Sequence, residues 1–217
     1  ASAVEAQTLQ SLRAATSDSA SLLRDVPGIS LYGAGGVSSL PSIHGLADDR
    51  LRIKVDGMDL LSACPNHMNP ALSYLDPSQV GTLKVYAGIA PVSVGGDSIG
   101  GSIIAETAAP VFAAPGQGSL VKGEAGAFYR SNGHAWGANL SATYATESFS
   151  ISYTGATAQS GNYDAGGNFK ERLFGAGNNP YYTGRPGHTL SRDEVGSTAY
   201  ETRNHTLGVA LRGGNHL

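Results

Sequence analysis

From Ser119 onward the chain alternates between apolar and polar positions. In HAWGANLSATYA, residues 134 to 145, Trp136, Ala138, Leu140, Ala142 and Tyr144 fall on one side. Gly137, Asn139, Ser141 and Thr143 fall on the other. Phe149, Ile151 and Tyr153 alternate with Ser148, Ser150, Ser152 and Thr154. Val121, Ala125, Ala127 and Tyr129 stand opposite Lys122, Glu124 and Arg130, and Leu207, Val209 and Leu211 continue the pattern. A period of two marks β-strands with one apolar face. Tight turns are predicted at 131–133 and 146–148. The stretch from 160 to about 198, rich in Gly, Asn, Tyr and Pro, is predicted to be a long loop.

The second face of these strands decides what kind of sheet they form. Its residues are too small and polar to fill the core of a water-soluble sandwich. A membrane barrel has the opposite requirement, lipid outside and water or a stopper inside. Trp136 and Tyr144 lie eight residues apart on one apolar face. At about 3.3 Å per residue and a tilt near 40° they stand roughly 20 Å apart along the membrane normal, close to the spacing of two aromatic girdles.

Residues 1–115 read differently, as a mixed α/β unit. In TSDSASLLRDVPG, Ser17 or Asp18 is the expected N-cap of a short amphipathic turn carrying Leu22, Leu23 and Val26, which stops at Pro27-Gly28. RLRIKVDGM places Leu51, Ile53 and Val55 on one face and Arg50, Arg52 and Lys54 on the other, ending at the turn signal Asp56-Gly57. GTLKVYAG and SIIAET are further short strands, with glycine-rich joints between them, and residues 108–118 read as a linker before the second unit, 116–217.

Composition narrows the function. Only 14% of the residues are charged and the net charge is −3, which excludes the basic excess of a nucleic-acid-binding protein. One cysteine excludes an intrachain disulfide framework. No apolar run reaches the roughly 18 residues of a membrane helix, and no signal peptide is visible, but alternating barrel strands escape such a scan.

Two stretches carry a family resemblance: LLRDVPGISLYGAGGVSSLPSIHGLADDRLRIKVDGM and LDPSQVGTLKVYAGIAPVSVGGDSIGGSIIAET. The order of LLRDVPG, an I-x-G-L segment, a strand ending in DGM and the closing IGGSI resembles the plug domain of TonB-dependent outer-membrane receptors. The expected fold is therefore an α+β plug domain followed by the first strands of an antiparallel transmembrane β-barrel. The resemblance implies an outer-membrane location in a Gram-negative bacterium and import driven by the TonB energy-transducing complex. It also implies a non-enzymatic activity without a required cofactor, contact with outer-membrane lipid, and a barrel of some 22 strands. His44 stands where the family usually has arginine, and no convincing TonB box is seen. Four or five strands cannot close a barrel, so the expectation is that more than a dozen others lie outside this sequence.

The candidate chemistry lies in LLSACPNHMNP, residues 60 to 70, which holds the only cysteine. In the family, the loop after the DGM strand rises to the plug apex and meets substrate. The Cys-x-x-x-Met pattern there resembles the plug motif of the copper receptors. Thiolate and thioether are soft ligands that select Cu(I), whereas imidazole also suits Cu(II) and Zn(II). The expected metal ligands are Cys64 and Met68 with His67 as a third, and copper is the expected cargo. A buried inert cysteine beside a packing Met68 and a solvated His67 is the plainer reading. Zinc, a ferric siderophore or a cobalamin-like complex are the other cargoes, with Tyr163, Tyr181, Tyr182, Arg172 and Arg185 as siderophore-loop residues. Met58 is expected in the core. GDSIG matches a hydrolase motif at Ser98, but that nucleophile needs a strand before it and a helix after it, and a strand is expected to follow.

Overall fold

A computed structural model describes residues 2–13, 15–33, 35–60, 69–95, 98–170 and 190–213. Among them eleven strands form three sheets, accompanied by two α-helices. The first half comprises β1 (Ser2–Val4), α1 (Ala6–Arg13), β2 (Ile29–Gly33), β3 (Ser39–Ile43), β4 (Leu51–Val55), β5 (Met58–Asp59), β6 (Val80–Ala87), α2 (Val92–Gly95) and β7 (Gly101–Thr107). A five-stranded sheet runs in the order β1-β6-β7-β4-β5, with β4 and β7 parallel and the other pairs antiparallel. β2 and β3 form a separate hairpin.

One apolar cluster holds this half together. Leu51 and Val55 of β4, Leu83 and Val85 of β6, and Ile103 of β7 pack with Leu9, Leu22, Leu23, Ile43 and Leu72. The predicted cap exists: the Asp18 carboxylate accepts from the Ala20 backbone N–H at 3.1 Å and opens a 3₁₀ turn over Ser19–Leu23. That cap drives Leu22 and Leu23 inward. β4 turns into β5 through Asp56 and Gly57, both at positive φ (50° and 78°), which is the twist a two-residue hairpin requires. Asp56 also accepts from the Thr107 backbone N–H at 2.8 Å, tying the turn to the end of β7.

Met58 corrects the expectation that it belongs to the core. It is 57% exposed, because β5 is a two-residue strand at the sheet edge and, among the described residues, no layer covers its side chain. α1, with Leu9 fully buried, and the short edge strand β1 are elements the polarity pattern did not announce.

The second half is a four-stranded antiparallel sheet of β8 (Leu120–Arg130), β9 (Ala135–Ala145), β10 (Phe149–Ser160) and β11 (Tyr200–Leu211), in the order β11-β10-β9-β8. Continuous registers place Val121, Tyr144, Ile151 and Val209 on one rung, and Tyr129, Trp136, Gln159 and Glu201 on another eight residues along. The predicted alternation is realised with the apolar side outward: Leu140, Leu207 and Val209 are exposed, while the opposite face looks toward the first half. The sheet is not closed, and none of the described helices is long and apolar enough to cross a membrane.

Candidate functional site

The loop bearing Cys64, His67 and Met68 spans residues 61–68, which lie outside the described residues. Both of its ends are described. On the outgoing side, Arg52 grips Asp59 with two parallel hydrogen bonds, Nε to Oδ1 at 2.9 Å and Nη2 to Oδ2 at 2.8 Å, and Lys54 stands 4.0 Å away. The Arg52 hydrogen bonds hold the Asp59 carboxyl below the usual carboxylate range, and its charge and that of Lys54 add to them. On the return side Pro70 is buried, and its carbonyl accepts from both the backbone N–H (2.9 Å) and the hydroxyl (2.7 Å) of Ser73. This opens a 3₁₀ turn, Ala71–Tyr74, that sinks Leu72 into the core. The described residues on either side of 61–68 are therefore fixed backbone.

A second feature is the seam between the two halves, which no local sequence pattern indicates. The Arg130 guanidinium, at the end of β8, donates to the Ser17 hydroxyl at 2.6 Å and the Ala15 carbonyl at 3.2 Å. It stacks over the Phe128 ring, 4.2 Å from its centroid. Tyr200, at the start of β11, donates its hydroxyl to the same Ser17 at 3.0 Å. Lower on the wall, the Gln79 amide donates to the Thr206 hydroxyl at 3.1 Å. Between these ties lies a cavity of about 160 Å³ lined by Arg13, Asp76, Ser78, Glu124, Asn139 and Thr157, among others. It lies between the two halves and has a mixed polar and apolar lining. Hydrogen bonds to a charged group contribute about 1.5–3 kcal/mol, so Arg130→Ala should loosen the seam by about 2 kcal/mol. Faster amide exchange of residues 15–23, with exchange in β6 and β7 unchanged, is the expected signature.

The other sequence-predicted residues are dispersed. Ser98 is no nucleophile: its hydroxyl donates to the Gly101 carbonyl at 2.7 Å and lies 3.3 Å from the Ser102 hydroxyl, and β7 rather than a helix follows. His44 packs its ring against Gly28 and donates its backbone N–H to the Gly28 carbonyl at 2.9 Å. Tyr163 lies at the base of the long loop, whereas Arg172, Tyr181, Tyr182 and Arg185 lie outside the described residues. Among the described residues no group of three or more His, Cys, Asp or Glu is placed to hold a metal ion.

Residues 1–102 match the family model of the TonB-dependent receptor plug domain. None of the curated proteins matches the chain. Of the solved structures it is similar to, the copper transporter OprC shares 29% identity over 71% of this chain and 23% of its own, with a TM-score of 0.60. The FrpB iron transporter from Neisseria meningitidis (F3-3 variant) shares 21% over 95% of this chain and 28% of its own, TM-score 0.68. The Serratia marcescens hemophore receptor HasR, a double mutant bound to its hemophore HasA and heme, shares 19% over 77% and 25%, TM-score 0.59. The chain thus spans about a quarter of the length of each. At their level of identity the FrpB and HasR structures speak to the fold alone.

Proposed function

We propose that this chain, a TonB-dependent receptor by its plug domain and its antiparallel wall, serves the uptake of copper across the bacterial outer membrane. The observation that supports the reading is a soft-ligand segment in the sequence between two fixed points of the fold. Cys64, His67 and Met68 fall in sequence between the Arg52–Asp59 pair and the buried Pro70 turn, both of which are fixed. A thiolate and a thioether four residues apart select Cu(I), and fixing the ends lowers the entropic cost of bringing them to one ion. The 29% identity to a copper transporter supports the same cargo.

The sheet order supports a TonB-driven mechanism. β1 is an edge strand held to β6 through only three residue pairs, so a pulling partner would peel it away easily. Behind it, α1 ends at Arg13, which lines the cavity between plug and wall and donates to the Val80 carbonyl. Traction on β1 would withdraw Arg13 and widen that cavity, while the β8–β11 wall stays in place.

The test is copper content and Cu(I) affinity of the receptor purified from outer membranes, wild type beside Cys64→Ala, Met68→Ala and His67→Ala. Outer-shell partners alone are worth about 10- to 100-fold in metal affinity, so removing either sulfur should cost at least about 100-fold. His67→Ala should cost less, because imidazole is the harder ligand for Cu(I). Copper binding that is unchanged in both sulfur variants would remove copper as the cargo and leave the receptor fold untouched.

A further inference from the structure

The first half is held in two different ways on either side of residue 17. Ahead of it, β1 lies on the sheet edge with three residue pairs to β6, Leu9 of α1 is buried in the core, and Arg13 donates to the Val80 carbonyl. These contacts are all made within the first half. A load on the N-terminal end meets them one after another, so each bears the whole load in its turn. Local opening begins in such thinly held terminal elements.

At Ser17 the partners change. Its hydroxyl oxygen accepts from the Arg130 guanidinium at 2.6 Å and from the Tyr200 hydroxyl at 3.0 Å, and Arg130 also reaches the Ala15 carbonyl at 3.2 Å. Arg130 ends β8 and Tyr200 opens β11, the two outer strands in the order β11-β10-β9-β8. Three bonds thus share a load in parallel. Two of them come from a charged donor, the stronger class of hydrogen bond. The residues that follow are held as well. Asp18 accepts from the Ala20 backbone N–H and the Ser21 hydroxyl, the Ser19 hydroxyl donates to the Leu75 carbonyl, and Leu22 and Leu23 are buried.

Tyr200 has a second hold on the first half. Its ring lies over Gly36 at the tip of the β2–β3 hairpin, where a Cβ would be 2.5 Å from a ring carbon. Beside it, Gly35 at φ +92° faces the Ser197 carbonyl. Ser197 itself stands at φ 63°, a conformation that costs a non-glycine residue energy and persists only where neighbours enforce it. Here they do. Thr198 and Ala199 donate their backbone N–H groups to the Asn162 side-chain oxygen at 3.0 and 2.9 Å, and the Thr198 hydroxyl donates to the Val195 carbonyl at 2.7 Å. The chain that presents Tyr200 is therefore fixed to the root of the long loop.

We propose that Ser17 is a mechanical stop: traction on the N-terminal segment frees the chain up to residue 16 and ends there, because the wall takes the load through Arg130 and Tyr200. The β2–β3 hairpin and strands β6, β7, β4 and β5 stay seated. The inference rests on the traction mechanism proposed above and adds its end point, which sets how much chain leaves the plug. Residues 2–16 extend by up to about 50 Å, at roughly 3.3–3.6 Å per residue.

Force spectroscopy of the full-length receptor in a lipid bilayer, pulled through an N-terminal handle, tests it. In the wild type the first extension should halt at that length, and a higher force should be needed to go on. Arg130→Gln combined with Tyr200→Phe should lose the halt, so that the first extension runs on. Tyr200→Phe alone, which keeps the ring over Gly36, should keep the halt but yield at a lower force. Gln79→Ala removes the tie to Thr206, which lies off the load path, and should behave as wild type. A double variant that still halts after residue 16, or a halt lost in Gln79→Ala, would overturn the stop. Should the double variant not fold, Tyr200→Phe decides, and an unchanged yielding force overturns the proposal. Failure of the traction reading looks different. A first halt at another length within the plug sinks the stop alone, whereas release of the whole plug in one extension sinks the traction mechanism and the stop with it.

Discussion

Arginine in place of Leu140 should destabilise the folded receptor in lipid by about 2–4 kcal/mol, whereas arginine in place of Gln159 should cost about 0–1 kcal/mol. Both positions point outward from neighbouring strands, and Leu140 is exposed on the bare sheet. They differ in depth. Leu140 lies midway between the Trp136 and Tyr144 limits, where the guanidinium would meet hydrocarbon with no counter-charge. Gln159 shares its rung with Trp136, at the level of the upper aromatic limit. Denaturant titration of the receptor folded into bilayers reads both numbers. In a water-soluble sheet the order would reverse in sense: Leu140→Arg would relieve an exposed apolar residue and be harmless. Equal, small effects at the two positions would therefore remove the lipid-facing assignment of this wall, and with it the barrel.

The contrast also explains why the second half was legible in the sequence. A strand with one apolar face imposes a rule on every second residue, so the period of Trp136, Ala138, Leu140, Ala142 and Tyr144 survives without any knowledge of partners. β4 was legible for the same reason, since Leu51 and Val55 are buried and Arg52 is not. α1 obeys no such rule over enough length. AQTLQSLR holds two leucines in eight residues, and its helix is fixed by the burial of Leu9 against distant strands. Met58 was misplaced because residue type was weighed over position: a methionine on a two-residue edge strand is poorly covered by the described residues.

The site divides along the same line. Cys64, His67 and Met68 stand out in the sequence because their chemistry is local, three side chains of metal-ligand type within five residues. The Arg130–Ser17–Tyr200 node was invisible because its partners are 113 and 183 residues apart and none is unusual in its own surroundings. Long-range polar ties leave no periodic trace, since each needs one residue at one place. The pinning of Asp59 by Arg52 falls between these cases. The seven-residue separation is readable only once the Asp56-Gly57 turn has been recognised, because the turn folds the two residues onto one edge.

Gly101→Ala should unfold the plug domain outright, with an expected loss of about 3–5 kcal/mol from backbone strain and overpacking together. Gly101 opens β7 at φ +123°, and a Cβ there would sit 2.1 Å from the Tyr86 carbonyl oxygen, a backbone atom that the β6–β7 ladder holds in place. Its neighbour Gly100 is equally confined, donating to the Arg50 carbonyl at 2.8 Å, with the Leu51 side chain 2.6 Å from where a Cβ would be. The paired glycines are what let β7 slide between β4 and β6 and complete the sheet. Gly57→Ala is the matched control. It too has positive φ, +78°, but nothing lies within 4 Å of its added Cβ, so it carries the left-handed penalty alone, about 1–2 kcal/mol. Limited proteolysis and amide exchange on the membrane-inserted receptor should show Gly101→Ala with β6 and β7 unprotected and β8 to β11 still protected, since the wall's ladders are independent of the plug's. Two variants of equal stability would mean that β7 does not enter the sheet through that gap, and the order β6-β7-β4 would be wrong.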